Sequence, residues 1–345
     1  MAAGPDVSYA RTRDGVTLAY QALGTGPTVV WLPSLGNLVV QWRVPALRAV
    51  YEHLARSVRL VLYDGRGMGS SDRRVDPRDL GLDGHLRDLE AVVDAVGGGA
   101  VSLLGYYHSV PTAIAFAADR PQQVTRMVLF GGAARLRDAM SPVQTQALLS
   151  LVDQDWDLFA DTAAHTWLGW GAGELGRRVA ESFRTAATPT VAKAWLEEAA
   201  FIDVTDRLPD AVAPALVLHR QSERQIPVEV SRRLADALPN GRLVELPGSS
   251  PTLFLESPRG DLDLVTRFFT TGEVGAPSPP QDSDVTAREM DVLRLLATGD
   301  SNAEIARRLG ITVHTVERHT ANLYRKIGAR GRADATAYAL RRGIA

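Results

Sequence analysis

The sequence contains no cysteine, and this absence removes several kinds of chemistry at once. Disulfide bonds, thiolate metal sites and cysteine nucleophiles are all excluded. No run of about 18 apolar residues occurs, so the sequence predicts no membrane-spanning helix. The first residues also lack a basic start followed by an apolar stretch, which is the pattern of a secretory signal. The expected location is therefore the cytoplasm.

A large excess of either charge is also missing, since the formal net charge is −2. The charges are nevertheless unevenly distributed along the chain. Residues 284–345 carry 11 basic and 7 acidic side chains, whereas residues 1–283 carry 27 basic and 33 acidic ones. A basic C-terminal region attached to an acidic body is the arrangement that a nucleic-acid contact through that region requires.

A stretch without hydrophobic periodicity separates these two regions. It is rich in glycine and proline, and its three prolines favour an extended, semi-rigid spacer. We therefore predict a first domain over residues 1–271, a linker over 272–283 and a second domain over 284–345.

Short apolar runs alternate with helical patterns in the first domain. Such alternation is typical of an α/β fold, in which helices cover both faces of a mostly parallel sheet. Residues from about 135 to 207 interrupt the alternation with helical patterns alone, so we predict a helical cap over the sheet there. The predicted strands are Val16–Gln21, Thr28–Leu32, Leu60–Tyr63, Val101–Leu104, Met127–Phe130, Ala215–Leu218 and Leu243–Leu246.

Three short helices with their own start and stop signals follow the linker. Two capping boxes, Thr286-Ala-Arg-Glu289 and Ser301-Asn-Ala-Glu304, open the first two helices. Gly310 stops the second helix, and Thr312 opens a third that runs from about Val313 to Ile327. The short turn between them has helix-turn-helix spacing, which presents the third helix to the major groove of DNA.

The residue string of the second domain resembles the LuxR-type (GerE-like) helix-turn-helix over essentially all of residues 284–345. The similarity lies in Thr286–Glu289, Gly299–Thr312 and Thr315–Gly328. It implies an all-α domain of four helices with its motif at about 302–321, and binding of double-stranded DNA. It also implies a homodimer formed through the last helix, at about Ala333–Arg342.

The same resemblance assigns roles to individual residues. Positions that grip phosphates in relatives hold polar side chains here, and the positions that face the bases include Glu317 and Arg318. Arg318 is expected to bind guanine and Glu317 to accept from cytosine N4, although many relatives carry Lys or Arg where Glu317 stands. The alternative for Glu317 is an ion pair along its own helix. The predicted DNA-contacting residues are Ser301, Asn302, Thr312, Thr315, Glu317, Arg318, His319, Ala321, Arg325 and Lys326.

The first domain resembles the α/β-hydrolase fold over nearly all of residues 5–271. Three segments carry the similarity: the loop Trp31–Gly36, the loop Tyr63–Asp72, and the strand, elbow and helix over Val101–Pro121. A nucleophile elbow in this family reads Gly-x-Ser-x-Gly. Gly105 fixes the register here and puts Tyr107, not serine, at the nucleophile position.

The other two positions of the triad are equally informative. Glu223 falls at the position of the acid, and Pro251 falls at the position of the histidine. Proline has no titratable group and so provides no general base, which leads us to predict a catalytically inactive domain, a pseudoenzyme. The alternative nucleophile is Ser109, but using it spoils the gap-free match and gives it Tyr107 and Pro111 as neighbours in place of glycines. No cofactor or metal site is predicted.

A fold that keeps its pocket without its triad suits a binding role. We predict that the cleft under the cap binds a small, mostly apolar molecule. The alternatives are that Tyr107 fills the old active site and nothing binds, and that the cap tryptophans form only the core of the cap. The predicted pocket walls are Ser34, Leu35, Tyr106, Tyr107, His108, Glu223, Pro251, Trp167 and Trp170.

Together these features predict a one-component transcription regulator with a hydrolase-like sensor domain, a proline-containing linker and a DNA-reading domain. Two other hypotheses stay open. One is an active serine hydrolase fused to a DNA-binding module. The other is a regulator whose first domain mediates only dimerisation or contacts with other proteins.

Overall fold

The computed structural model describes most of the chain, and it divides that chain into two compact units. The first unit comprises Met1–Leu253 and Leu262–Gly275, and the second comprises Phe254–Asp261 and Ala276–Ala345. The predicted linker falls largely on residues outside the described ones, so its bounds stay a prediction. The described residues are 4–139, 142–168, 173–223, 225–248, 250, 252–254, 258–275, 285–327, 329–341 and 344, without the side chains of residues 142, 144, 167, 173, 287 and 341.

Eight strands of the first unit form one sheet in the order β1-β2-β4-β3-β5-β6-β7-β8. β2 is antiparallel to both β1 and β4, and all other neighbours are parallel. The predicted mostly parallel α/β sheet is therefore confirmed. The strands are β1 Ser8–Arg11, β2 Thr17–Leu23, β3 Thr28–Trp31, β4 Arg59–Tyr63, β5 Val101–Tyr106, β6 Val124–Phe130, β7 Ala215–Arg220 and β8 Gly241–Leu246.

The edge strand β1 is the one strand that the sequence patterns did not predict. Only Ala10 of its four residues is buried, and the other three side chains are exposed. An edge strand with a single inward side chain has no apolar run, and it therefore lacks the signal by which the other seven strands were found.

Helices cover the sheet, and four of them, α5–α8, occupy the region predicted as a cap. Their core includes Phe159, Phe183 and Trp195. Within the described part of the chain, no helix combines the length and the hydropathy that a membrane span requires. The helices of the first unit are α1 Leu38–Trp42, α2 Pro45–Leu54, α3 Leu82–Ala95, α4 Val110–Asp119, α5 Pro142–Gln154, α6 Trp156–Leu168, α7 Gly173–Ala186, α8 Pro189–Ala199 and α9 Val228–Ala237, followed by α10 Pro258–Thr271.

The middle of the sheet supports the rest of the first unit. Every residue of β5 is buried, and α4, which follows it, is buried from Val110 to Ala117. The strand and the helix approach each other closely at Gly105, where an added Cβ would lie 3.2 Å from the Cα of Val110. A larger residue at this point would therefore require its neighbours to shift by a few tenths of an ångström.

The remaining four helices belong to the second unit and form a separate hydrophobic core. Both predicted capping boxes are present, since Thr286 and Glu289, and Ser301 and Glu304, exchange their hydrogen bonds. Gly310 ends α12 with a φ of 66°, in the left-handed region that favours glycine. These helices are α11 Ala287–Ala297, α12 Asn302–Leu309, α13 Val313–Ile327 and α14 Arg332–Arg341.

Candidate functional site

The turn between β5 and α4 has the backbone of a nucleophile elbow, with tyrosine at its apex. Tyr107 has a φ of 48°, in the left-handed region that a bulky residue rarely adopts. Holding a residue there costs about 1–3 kcal/mol, which the surrounding packing must offset. The structure therefore places Tyr107 at the position that the Gly105 register predicted.

The ring of Tyr107 fills the space above the elbow. A Cβ added to Gly131 would lie 2.7 Å from Cζ of this ring, so the glycine leaves just enough room for it. The ring also packs edge-on against Tyr106 and Phe130, with centroids 5.0 and 6.0 Å away. Burial raises the pKa of the Tyr107 hydroxyl well above its usual range, and the nearby Glu223 acts in the same direction. The phenol is neutral near pH 7 and is a poor nucleophile.

Ser109 is committed to the local backbone. Its Oγ accepts a hydrogen bond from the N–H of Tyr106 at 2.9 Å and lies 3.1 Å from the carbonyl oxygen of the same residue, to which it donates. The side chain is buried, and its φ of −89° is unstrained. The Ser109 side chain therefore caps the local backbone. This bonding disfavours the hypothesis that Ser109 is the nucleophile of an active hydrolase.

Glu223, at the predicted position of the triad acid, also makes local contacts. Glu223 accepts a hydrogen bond from the backbone N–H of Gln225 at 2.8 Å. The side-chain amide of Gln225 donates through Nε2 to the carbonyl oxygen of Thr166 in the cap. Pro251, at the predicted histidine position, lies outside the described residues.

A small cavity lies beside the elbow, between α3, α4 and the cap helix α8. It offers about 30 Å³ to the centres of water molecules, which is room for about two waters. Two polar atoms in its wall, Nε2 of His108 and Oγ1 of Thr112, are buried and have no hydrogen-bond partner in the described part of the chain. The wall comprises Leu32, Pro33, Ser34, Tyr63, Gly65, Arg66, Met68, His85, Asp88, His108, Ser109, Thr112 and Trp195.

This cavity differs from the predicted pocket. Ser34 and His108 line it as expected, but Leu35 packs into the cap core, and Tyr106 is buried with its hydroxyl accepting from the N–H of Leu253. Tyr107 and Glu223 do not line it either. The side chain of Trp167 and all of Trp170 and Pro251 lie outside the described residues. The predicted ligand cleft therefore stays a prediction, because three of its nine wall side chains lie outside the described residues.

The charges around the cavity balance each other. Asp88 accepts from Nε of Arg66 and from its backbone N–H, both at 2.9 Å, and Arg66 also pairs with Asp14. Burial lowers the pKa of His108 to about 4. Burial, Arg66 and His108 together lower the pKa of His85 to about 4. Both imidazoles are therefore neutral near pH 7.

The histidines make the stability of this unit depend on pH. The folded-state pKa of His108 is below the ordinary value of 6.5, so its contribution is present above pH 6.5 and is lost as the pH falls towards 4. Asp64 and Asp88, whose pKa burial raises to about 6, oppose this trend, because their contribution is full below 3.8 and is lost as the pH rises through 6. Comparison with a variant is therefore required to isolate the effect of the histidine.

Wild type is expected to lose roughly 3 kcal/mol of unfolding free energy through His108 when the pH falls from 7 to 4. The variant His108→Gln is expected not to show this loss, since glutamine does not titrate. The measurement is urea unfolding followed by tryptophan fluorescence, because all six tryptophans precede the linker. Parallel stability curves for the two proteins across this pH range would contradict the expectation.

In the second unit, the third helix of the predicted motif presents its outer face to solvent. Val316, Thr320, Leu323 and Ile327 are buried, as the helical spacing predicted. Several of the predicted DNA-contacting residues are exposed: Ser301, Thr312, Glu317, Arg318, Ala321 and Arg325. Asn302, Thr315, His319 and Lys326 are partly buried.

Among these residues, Arg318 has no described partner, whereas others make contacts within the domain. Arg318 has no hydrogen-bond or ion-pair partner within the described chain, so its guanidinium is available. Glu317 lies 3.7 Å from Nδ1 of His314, not beside Arg325, and Arg325 donates to Asn322. Glu317 therefore has a neighbour along its own helix in His314, and this contact is an ion pair only when the imidazole is protonated. Nearer the turn, the hydroxyls of Thr312 and Thr315 are 2.8 Å apart.

Lys326, one of the predicted DNA-contacting residues, has a partner within its own domain. Its ammonium lies 2.5 Å from Oε2 of the buried Glu289, the capping-box carboxylate of α11. Burial opposes ionisation of this carboxyl, but the hydrogen bond from Lys326 keeps the pKa of Glu289 below its usual range. Lys326 therefore neutralises a buried charge of its own domain, and its contact with DNA stays a prediction.

Other basic residues of this domain donate hydrogen bonds to its own backbone, which the sequence patterns did not predict. Arg288 donates to the carbonyl of Leu309 at the end of α12, and Arg332 donates to the carbonyls of Leu296 and Asp300. Positive side chains near helix C-termini satisfy carbonyls that have no partner within the helix. The net charge of the domain therefore overstates the positive charge that is available to a polyanion.

Both domains of the chain match known protein families. Residues 27–258 match the family model of the alpha/beta hydrolase fold, and residues 283–339 match that of the bacterial regulatory proteins of the luxR family. The first match covers more than half of the chain. The protein therefore belongs to the alpha/beta hydrolase fold family and carries a C-terminal DNA-binding domain of the luxR family.

Individual relatives are similar to the first domain. A 2-hydroxy-6-oxononadienedioate/2-hydroxy-6-oxononatrienedioate hydrolase of Pseudomonas putida is 28% identical over 251 residues, covering 68% of this chain and 86% of the relative. The putative carbamate hydrolase RutD of Caulobacter sp. (strain K31) is 24% identical over 270 residues, covering 75% and 97%. The crystal structure of the enol-lactonase from Burkholderia xenovorans LB400 superposes with a TM-score of 0.65 at 22% identity, covering 76% of this chain and 100% of that one. This last similarity shows a shared fold.

Proposed function

We propose that the protein is a one-component transcription regulator that binds double-stranded DNA as a homodimer and senses a small molecule through a catalytically silent hydrolase-fold domain. The presence of a luxR-family domain supports the regulator. The observation that carries the proposed DNA recognition is the capped helix pair α12 and α13, whose second helix exposes Arg318, a side chain without a partner among the described residues. Such a helix is the element that enters the major groove in helix-turn-helix proteins.

Catalytic silence rests on the elbow. The strained position holds a neutral, buried tyrosine, and the nearby serine is bonded to the backbone of Tyr106. The position of the general base is occupied by Pro251. An acyl-transfer mechanism needs a nucleophile and a base within hydrogen-bond reach of each other, and these positions supply neither.

The test of DNA reading is a selection from random duplex DNA with the full-length protein. A dimer of helix-turn-helix domains is expected to enrich sequences with two half-sites about 10 bp apart, related by two-fold symmetry. Enrichment of single, unrelated half-sites would contradict the dimer. A folded protein that enriches no sequence at low salt would contradict DNA reading by the isolated protein.

The proposed lack of hydrolase activity is tested separately, in an esterase assay with p-nitrophenyl acetate. We expect wild type, Tyr107→Phe and Ser109→Ala to give the same slow rate, within about twofold of the background reaction, because none of them has a positioned nucleophile and base. Circular dichroism checks that Ser109→Ala, which loses a cap, is folded. Turnover by wild type that disappears in Ser109→Ala would favour the active serine hydrolase.

A further inference from the structure

The outer edge of β1 presents backbone hydrogen-bonding groups to solvent. In the ladder with β2, Tyr9 lies opposite Ala19, and the next outward position, Arg11, lies opposite Thr17. The N–H and C=O of Thr17 both bond to Asp72, on the side away from β1, and those of Ala19 also bond away from β1. In an antiparallel ladder, the residues opposite such positions point their own N–H and C=O outward. Tyr9 and Arg11 therefore each turn one donor and one acceptor to the open edge.

Helix α3 leaves room beside this edge. A groove of about 280 Å³ runs between β1 and α3, and the small side chains Ala91 and Ala95 form part of its α3 wall. The hydrogen bonds of the described residues leave the four outward backbone groups of β1 without a partner. Alternating donors and acceptors along an open edge match the backbone of another extended strand. The edge is therefore suited to the addition of a strand.

The side chains of β1 are complementary to those of a second β1. Tyr9 is 61% exposed, and Arg11, two residues on, is also exposed and shares its face of the strand. If two β1 strands pair antiparallel about a two-fold axis at Ala10, each Tyr9 ring lies opposite the Arg11 side chain of the other copy. A guanidinium beside a tyrosine ring is attracted to its face. The same register lets the outward groups of Tyr9 bond to those of Arg11 in the other copy.

We propose that two copies of the chain pair through β1, antiparallel and about a two-fold axis at Ala10, so that their eight-stranded sheets become continuous. The inference rests on the proposed homodimer and deepens it, because it names the surface through which the two first domains meet. The same surface is used by both copies, so the contact closes on itself and gives a dimer with no filament.

The absence of cysteine makes this register testable with single thiols. In Ala10→Cys, the two Cα atoms lie about 4.5 Å apart across the axis, within the range of a disulfide bond. Ser8→Cys is the matched control, because it is the more exposed position but its two Cα atoms lie about 14 Å apart in this register. After oxidation of the full-length proteins with diamide, the cross-linked dimer is expected to be about tenfold more abundant for Ala10→Cys.

A second pair of variants avoids the buried position of Ala10. Tyr9→Cys and Arg11→Cys change exposed side chains, and their Cα atoms lie about 5.5 Å apart in the proposed register. Chains of the two variants, expressed together, are expected to form the disulfide, whereas either variant alone is expected not to form it. Equal cross-linking of Ala10→Cys and Ser8→Cys overturns the proposal. If Ala10→Cys does not fold, the absence of a disulfide between the co-expressed variants overturns it.

The contribution of the outward N–H is tested in the Ala10→Cys background. Tyr9→Pro removes this N–H without removing a hydrogen bond of the β1–β2 ladder, so the protein is expected to stay folded but to lose the cross-link. Tyr9→Val keeps the N–H and is expected to retain most of the cross-link. A cross-link that is equally strong in Tyr9→Pro and Tyr9→Val contradicts pairing through the edge.

This outcome is independent of the DNA selection, since cross-linking is measured without DNA. A protein that selects two half-sites but does not cross-link through β1 refutes this interface and leaves the dimeric regulator intact. A protein that cross-links through β1 but selects no DNA refutes the proposed DNA reading and leaves the interface intact.

Discussion

Replacing Arg318 by alanine is expected to lower the affinity for the selected operator by about 10- to 100-fold. Arg318 is exposed on α13 and lacks any partner in the described part of the chain, so its guanidinium reaches DNA without first breaking an internal ion pair. A bidentate contact from arginine to guanine contributes about 1–3 kcal/mol of discrimination between bases. Loss of that contact is expected to remove the preference at one base pair of each half-site.

The measurement is a fluorescence-anisotropy titration of the operator and of a scrambled duplex, at several salt concentrations. Arg294→Ala is the matched control, because Arg294 is exposed on α11, outside the helix pair, and pairs with Asp291. We expect the control to bind the operator within about twofold of wild type. Equal losses on operator and scrambled DNA would mean that Arg318 contacts only phosphates.

The second large effect is expected at the elbow, where Gly131→Ala should lower the free energy of unfolding by about 3 kcal/mol. Gly131 has a φ of 65°, and its new methyl group would lie 2.7 Å from the Tyr107 ring. Strain in the backbone and overpacking against the ring therefore add. Urea unfolding followed by tryptophan fluorescence measures the change.

Two further variants identify the ring as the cause. Tyr107→Gly removes both the ring and the unfavourable φ of this residue, so in that background Gly131→Ala is expected to cost only the backbone part, about 1–2 kcal/mol. Gly99→Ala is the control, because its φ is ordinary and nothing lies within 4 Å of its new methyl group. If Gly131→Ala cost the same with and without the Tyr107 ring, the filled elbow would be refuted, and with it the main support for catalytic silence.

The second domain could be predicted in detail because its signals are local in sequence. Capping boxes span four residues, and the glycine that ends α12 marks a single backbone position. The buried stripe of α13 follows from helical spacing alone. The role of Lys326 could not be predicted in this way, because its partner Glu289 lies 37 residues earlier and meets it only when α11 packs on α13.

For the first domain, the sequence by itself determined the order of elements and the parallel strands, since each depends on a short apolar run. It also placed Tyr107 at the elbow, because Gly105 fixes the register within two residues. Only the tertiary structure decided where space remains. The Tyr107 ring packs against Gly131, and among the described residues a small cavity lies beside His108 and Thr112. A cavity is what packing leaves unfilled between elements distant in sequence, here α3, α4 and α8, and no local pattern records it.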